Sequence, residues 1–218
     1  MKTVRVKICG ITSEKDLENA VAAGADAVGF VVNVPSSPRN ISLEKAYELI
    51  RKVPVFVESV MVTIPENLDS LIRTYEKLKP TALQIHGEKL FNAEVMREKA
   101  FDAKLIAAIN IGKNNNLTGK LNELLKFDAV LLDSSVSGKY GGTGVTHDWV
   151  LSKKYKELIY PKPLILAGGL SPENVRDAIR IVQPYAVDVS SGVESSPGVK
   201  DPEKIFNFIK NAKEAFYE

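Results

Sequence analysis

The chain has 218 residues, 44% hydrophobic and 26% charged, with a formal charge of +2. This is enough for one sizeable core, and the scattered basic residues form no stripe, so the charge offers no handle for nucleic acid or an anionic membrane. A single cysteine, Cys9, excludes an internal disulfide; the polar start MKTVRVK has no apolar signal region and no run nears the ~20 apolar residues that span a bilayer, so the expected location is cytoplasmic.

Short runs rich in Val, Ile and Leu alternate with longer stretches whose apolar residues recur at helical spacing. The runs predict strands at VRVKIC (4–9), AVGFVV (27–32), FVESVMV (56–62), ALQIH (82–86), KLIAAI (104–109), AVLLD (129–133), PLILAG (163–168) and AVDVS (186–190). Unbroken apolar character in several of them suits parallel strands covered on both faces. Helix starts are marked after the second strand by Ser42 before Glu44, after the seventh by Ser171, Pro172 and Glu173, and after the eighth by Asp201, Pro202 and Glu203. One face of the seventh helical stretch carries Val175, Ala178, Ile179 and Val182; one face of the last carries Ile205, Phe208, Ile209, Ala212 and Phe216. Every second strand begins with Ala, at Ala27, Ala82, Ala129 and Ala186, a weak internal echo of a repeated unit. No linker or low-complexity run interrupts the chain, and no G-x-G-x-x-G follows the first strand. The prediction is an α/β fold, a single-domain (β/α)8 TIM barrel over residues 1–218.

In such a barrel the groups at the C-terminal strand ends and in the loops that follow share one mouth. Strand 1 ends in Cys9, the loop after strand 2 carries Arg39, strand 4 ends in His86 and strand 6 in Asp133. On residue type alone Cys9 reads as a small buried hydrophobe before it reads as chemistry. Asp133, closing an apolar strand, reads either as a partly desolvated general acid or as a capping or paired carboxylate. Arg39 reads as a solvated loop charge or as a guanidinium able to clamp a carboxylate, and His86 as a satisfied rim histidine rather than a proton carrier. Gly168 and Gly169 after strand 7, with Ser190, Ser191 and Gly192 after strand 8, leave room for backbone N–H groups to approach an oxyanion. Together these two loops point to a phosphorylated small-molecule substrate. YGGTG (140–144), with Gly142 and Gly144, is a further glycine-rich loop able to close over a ligand.

KICGIT, SPR, QIHG, LLD, GGTG, LAGGLSPENV and VDVSSGVESSPGVKD, in this order over nearly the whole chain, resemble the phosphoribosylanthranilate isomerase family of tryptophan biosynthesis. The resemblance implies an isomerase that converts N-(5′-phosphoribosyl)anthranilate to 1-(2-carboxyphenylamino)-1-deoxyribulose 5-phosphate without cofactor or metal. It implies Cys9 as general base, Asp133 as general acid, and Arg39, His86 and Asp188 as substrate-contacting residues. Gly142, Gly144, Gly168, Gly169, Ser191 and Gly192 then grip the phosphate. A thiol near its ordinary value of about 8.5 is only slightly ionised at neutral pH, so the site has to lower it or take its proton elsewhere. The sequence offers no obvious cation for this: Lys7 shares the strand parity of Cys9 but is expected one layer deeper, in a structural role. The chain departs from the family pattern at Val145, Thr146 and His147 before Asp148 and Trp149, where a Phe is frequent, and at Asn33 and Val34, where an aromatic is common. Monomer and homodimer are equally compatible with the sequence.

Three other readings compete. A histidine-pathway phosphoribosyl isomerase of the same fold requires Asp in place of Cys9 and a second phosphate cradle after strands 3 and 4, where the chain reads TIPE and GEKL. A Schiff-base lyase requires a lysine at the mouth. A non-catalytic barrel that only binds a phosphorylated ligand would tolerate loss of Cys9.

Overall fold

The computed structural model describes residues 4–87, 92–99, 102–111, 117–134 and 148–216. Eight parallel strands close a barrel in sequence order: β1 (Arg5–Cys9), β2 (Ala27–Val31), β3 (Glu58–Thr63), β4 (Ala82–His86), β5 (Lys104–Ile111), β6 (Ala129–Ser134), β7 (Leu164–Leu166) and β8 (Ala186–Val189), the last pairing back onto β1. The helices between and after them are α1 (Glu14–Ala22), α2 (Leu43–Ile50), α3 (Leu68–Leu78), α4 (Ala93–Glu98), α5 (Leu121–Leu124), α6 (Trp149–Leu158), α7 (Val175–Val182) and α8 (Pro202–Glu214). This is the (β/α)8 barrel that the alternating pattern predicts, and each predicted strand is found with its ends displaced by no more than two residues.

The period of two along each strand sorts side chains into two cores. Val31, Val60, Val62, Ile106, Leu131 and Ile165 fill the interior of the ring. Val6, Ile8, Phe30, Leu83, Leu105 and Val187 point outward to the helices, where Val175, Ile179, Ile205 and Phe208 meet them. Fully burying one such side chain contributes about 1.5–3 kcal/mol, which is why the amphipathic faces of α7 and α8 hold those helices to the barrel. Phe216 lies beyond the end of α8 and packs half-buried on the same core.

The caps follow the sequence at two of the three predicted starts. Ser42 accepts from the N–H of Lys45 to open α2, and Asp201 accepts from the N–H groups of Glu203 and Lys204 to open α8, with Pro202 in the first turn. Ser171 does not open α7. That helix starts at Val175; the Ser171 carbonyl accepts from the N–H groups of Asn174 and Val175, while Asn174 Oδ1 accepts from the Ser171 N–H. Residues 171–174 thus form a closed turn, and Pro172 serves that turn instead of the helix.

One element lies outside the repeating pattern. After β8, the strands β9 (Glu194–Ser196) and β10 (Val199–Lys200) pair antiparallel as a small hairpin. It is tied to the β1 side of the barrel: Thr12 Oγ1 donates to the Gly198 carbonyl at 2.7 Å, and the Lys200 N–H donates to Asp16 Oδ1 at 3.3 Å. Its position sets Glu194 against the loop after β2, with consequences for the mouth. Among the described residues no helix is long and apolar enough to cross a membrane.

Candidate active site

The C-terminal ends of the strands surround a solvent-open cleft with about 760 Å3 of free space. Cys9, Arg39, His86, Asp133, Gly168, Gly169, Asp188 and Ser191, all candidates from the sequence, line it together. Cys9 on β1 and Asp133 on β6 face this cleft from nearly opposite arcs of the ring, and both are largely buried, at 7% and 8% exposure. Gly142, Gly144 and the departing stretch Val145–His147 lie outside the described residues. Val34 stands in the cleft wall with Val31, Val62 and Ile64, so aliphatic side chains supply the apolar surface here.

The neighbourhood of Cys9 corrects the expectation for Lys7. Its side chain, only 4% exposed, does not stay a layer below: Nζ donates to Asp188 Oδ1 at 2.9 Å and lies in electrostatic reach of the Cys9 thiol. A four-carbon stem explains this, because two strand residues advance only about 6.6 Å and a lysine side chain covers most of that. Burial pushes the Cys9 thiol above its ordinary value; Lys7 draws it down, Asp188 pushes it up and Lys200 draws it down again. Burial also works against the charge of Lys7, but Asp188 and Cys9 together hold its ammonium above the usual lysine range.

His86 is neutral in this setting. Burial, with a further push from Lys7, takes its pKa down to about 4. The Gln84 side-chain amide lies 2.8 Å from His86 Nε2 and pairs with it through a hydrogen bond. Gln84 lines the same cleft while buried to 1% exposure, and its Oε1 makes no hydrogen bond among the described residues.

Arg39 is not a solvated loop charge. Its side chain is 11% exposed, Nε donates to Glu194 Oε1 at 2.8 Å and Nη2 to Glu194 Oε2 at 2.6 Å. Lys200 Nζ donates to the same Oε1 at 2.9 Å and to the Ser190 carbonyl at 3.1 Å. Burial pushes the Glu194 carboxyl up, yet Arg39 and Lys200 hold it below the usual range and therefore ionised. A chain of charges runs from the loop after β2 to the loop after β8.

The loops after β7 and β8 touch through their backbones. A Cβ on Gly192 would stand 2.0 Å from the Leu170 carbonyl oxygen, so only glycine permits this approach. Gly168 and Gly169 both adopt positive φ, at 83° and 65°. Among the described residues the N–H groups of Gly168, Gly169, Ser191 and Gly192 donate to no protein acceptor. Such a cluster of small residues and unspent donors is suited to an anion. Among the described residues no group of three or more His, Cys, Asp or Glu could hold a metal ion.

Comparison with known proteins agrees with this architecture. A family model described as N-(5′-phosphoribosyl)anthranilate (PRA) isomerase matches residues 6–211. The chain belongs to the phosphoribosylanthranilate isomerase family. A relative of that name from Methanosarcina acetivorans is 46% identical over 224 residues, covering 96% of this chain and 93% of the relative. The crystal structure of phosphoribosyl anthranilate isomerase from Thermotoga maritima superposes with a TM-score of 0.84 at 43% identity, covering 96% of this chain and 98% of that one. A further isomerase structure, in complex with reduced 1-(o-carboxyphenylamino)-1-deoxyribulose 5-phosphate, superposes at 0.81 with 41% identity and the same coverage.

Set within this isomerase family, and beside Lys7, to which the sequence assigns a structural role only, three polar side chains around the site are missing from the candidates of the sequence: Gln84, Glu194 and Lys200. For Gln84 a signal existed, since a polar residue at the inward parity of an apolar strand, two before His86, must face the cleft. Glu194 and Lys200 carried none, because their partners are far apart in sequence or lie in a hairpin without apolar alternation.

Proposed function

We propose that the chain catalyses the Amadori rearrangement of N-(5′-phosphoribosyl)anthranilate in tryptophan biosynthesis, with Cys9 as general base and Asp133 as general acid. The observation that carries this reading is the placement of these two buried groups on opposite arcs of one cleft whose β8 side adjoins unspent backbone donors. Asp133 protonates the ribose ring oxygen; the C1–O bond opens, and the nitrogen lone pair forms an iminium ion. Its positive nitrogen acidifies the C2–H, and the Cys9 thiolate removes that proton. The enolamine then tautomerises to the ketose. The iminium is itself the electron sink, so the chemistry asks nothing of a bound cofactor.

Binding divides along the cleft. The substrate phosphate takes the donors of Gly168, Gly169, Ser191 and Gly192, the anthranilate ring lies on Val31, Val34, Val62 and Ile64, and its carboxylate meets Arg39. Glu194 already engages Nε and Nη2 of Arg39, which leaves Nη1 as the group without a partner among the described residues. Asp188, with one oxygen on Lys7, keeps the other for a ribose hydroxyl.

The deciding experiment follows the fluorescence of phosphoribosylanthranilate with the purified chain, using the histidine-pathway substrate as control. Consumption of the first and not of the second is the expected result; a folded protein that binds the product analogue without turnover would establish the binding-only barrel instead. Gly192→Ala tests the phosphate grip. Forcing Leu170 and residue 192 apart should raise KM about tenfold or more, equivalent to about 1.4 kcal/mol of lost binding, with kcat less affected. An unchanged KM would separate these loops from the phosphate.

A further inference from the structure

A buried thiol is a poor source of a base, because its anion has lost the water that would stabilise it, and Cys9 is 7% exposed. The groups around Sγ can be enumerated by element. From β1 comes Lys7, from β8 Asp188, from the loop after β2 Arg39 and from β10 Lys200, while Asp133 on β6 and His86 on β4 line the same cleft. Arg39 and Lys200 both spend their charge on Glu194. Among the described residues Lys7 has a single carboxylate partner, Asp188, and it reaches the thiol from the inner side of the barrel.

The neighbouring strand is shaped around this pair. Cys9 is in register with Gly29 on β2, and a Cβ built there would stand 2.9 Å from Cys9 Sγ and 3.1 Å from Lys7 Nζ. The thiol and the ammonium thus border the same small space, and any other residue at position 29 would intrude on both. Gly29 has an ordinary strand conformation, so its role is to leave room and not to supply an unusual φ.

We propose that Lys7 is a positioning residue for the base: its ammonium, anchored by Asp188, faces the Cys9 sulfur across the space kept open by Gly29 and stabilises the thiolate. The thiol proton leaves to water through the open cleft. This rests on Cys9 being the base. Lysine suits the task because a compact ammonium has three donors on one atom, so one can hold Asp188 while another turns to sulfur. Asp188 acts on the thiol in the opposite sense, its negative charge disfavouring the thiolate that Lys7 favours. The two neighbours therefore have opposite expected signs.

Cys9 is the only cysteine in the chain, so alkylation by iodoacetamide reads it alone. The rate is measured against pH for the parent chain, Lys7→Met, Lys7→Arg and Asp188→Asn, each confirmed folded by circular dichroism. The midpoint should rise by about one to two pH units in Lys7→Met, the scale of a close charge at a partly buried site. Most of that rise should disappear in Lys7→Arg, and the midpoint should fall in Asp188→Asn. The midpoint is the proper readout because the intrinsic nucleophilicity of a thiolate grows with its pKa and masks part of the change at any single pH. An unmoved midpoint in folded Lys7→Met, or a shift of the same sign in both charge-removing variants, overturns the proposal. Should Lys7→Met fail to fold, an unmoved or raised midpoint in Asp188→Asn does so. Because alkylation is independent of turnover, an unmoved midpoint beside an inactive Cys9→Ser enzyme removes only Lys7 from the account, whereas an active Cys9→Ser enzyme removes Cys9 as the base.

Discussion

Replacing Cys9 by serine lowers kcat by about a thousandfold or more, while the reduced product analogue still binds. Serine keeps nearly the same volume beside Gly29, so the cleft survives; what changes is acidity. A hydroxyl holds its proton far more tightly than a thiol, and the base it would form is absent at any working pH. The pH profile identifies the group further. The acid must be protonated and the base ionised, and carboxyl groups ordinarily lose their protons near 4 while thiols do so near 8.5. Between those values the thiolate fraction rises tenfold per pH unit as the protonated carboxyl fraction falls tenfold. Their product is level, so kcat/KM is flat through neutral pH, and on the alkaline side it declines only above the thiol's own value. Burial sets that value above the ordinary thiol, so the decline belongs on the far alkaline side, and it should vanish in the serine variant. Steady-state kinetics across pH, with titration of the analogue, checks both points; near-normal turnover by Cys9→Ser ends the assignment.

The barrel was legible because its signals are local. Strand runs such as AVGFVV and AVLLD are apolar on both faces, and Ser42 and Asp201 sit where their side chains meet orphan N–H groups. Strand ends then point to Cys9, Asp133 and His86 without any distance being known, since parity and the barrel rule fix them at one mouth. What sequence could not give is how far a side chain reaches and what it meets there. By the position of its Cα, Lys7 belongs two residues below Cys9, but its stem carries the charge upward. Arg39 reads as a loop charge until β9 brings Glu194 to it from 155 residues away. Ser171 resembles a cap because Pro172 and Glu173 follow it, but a closed turn with Asn174 satisfies the same groups before the helix begins.

Asp133→Asn should also reduce kcat by about a thousandfold, since general acid catalysis is worth 10^2–10^4 and an amide has no acidic proton to give the ring oxygen. The substitution preserves shape at the end of β6, so analogue binding should persist there too. Equal losses in the two variants would not distinguish an acid from a base, but the order of the steps does. Ring opening precedes C2–H cleavage. In Asp133→Asn the opening becomes slow, and substrate deuterated at C2 should react at the same rate as the protiated form. In Cys9→Ser the opening proceeds and proton removal becomes slow, so the same deuterated substrate should show a full primary isotope effect. Measuring that effect in both variants tests the roles separately from the magnitudes. An isotope effect in Asp133→Asn with none in Cys9→Ser would exchange the two roles, placing the base on β6 and the acid on β1. That inversion is hard to reconcile with the positive charge of Lys7 beside the sulfur: a neighbouring ammonium favours the thiolate, the form that takes up a proton, over the thiol that would have to donate one.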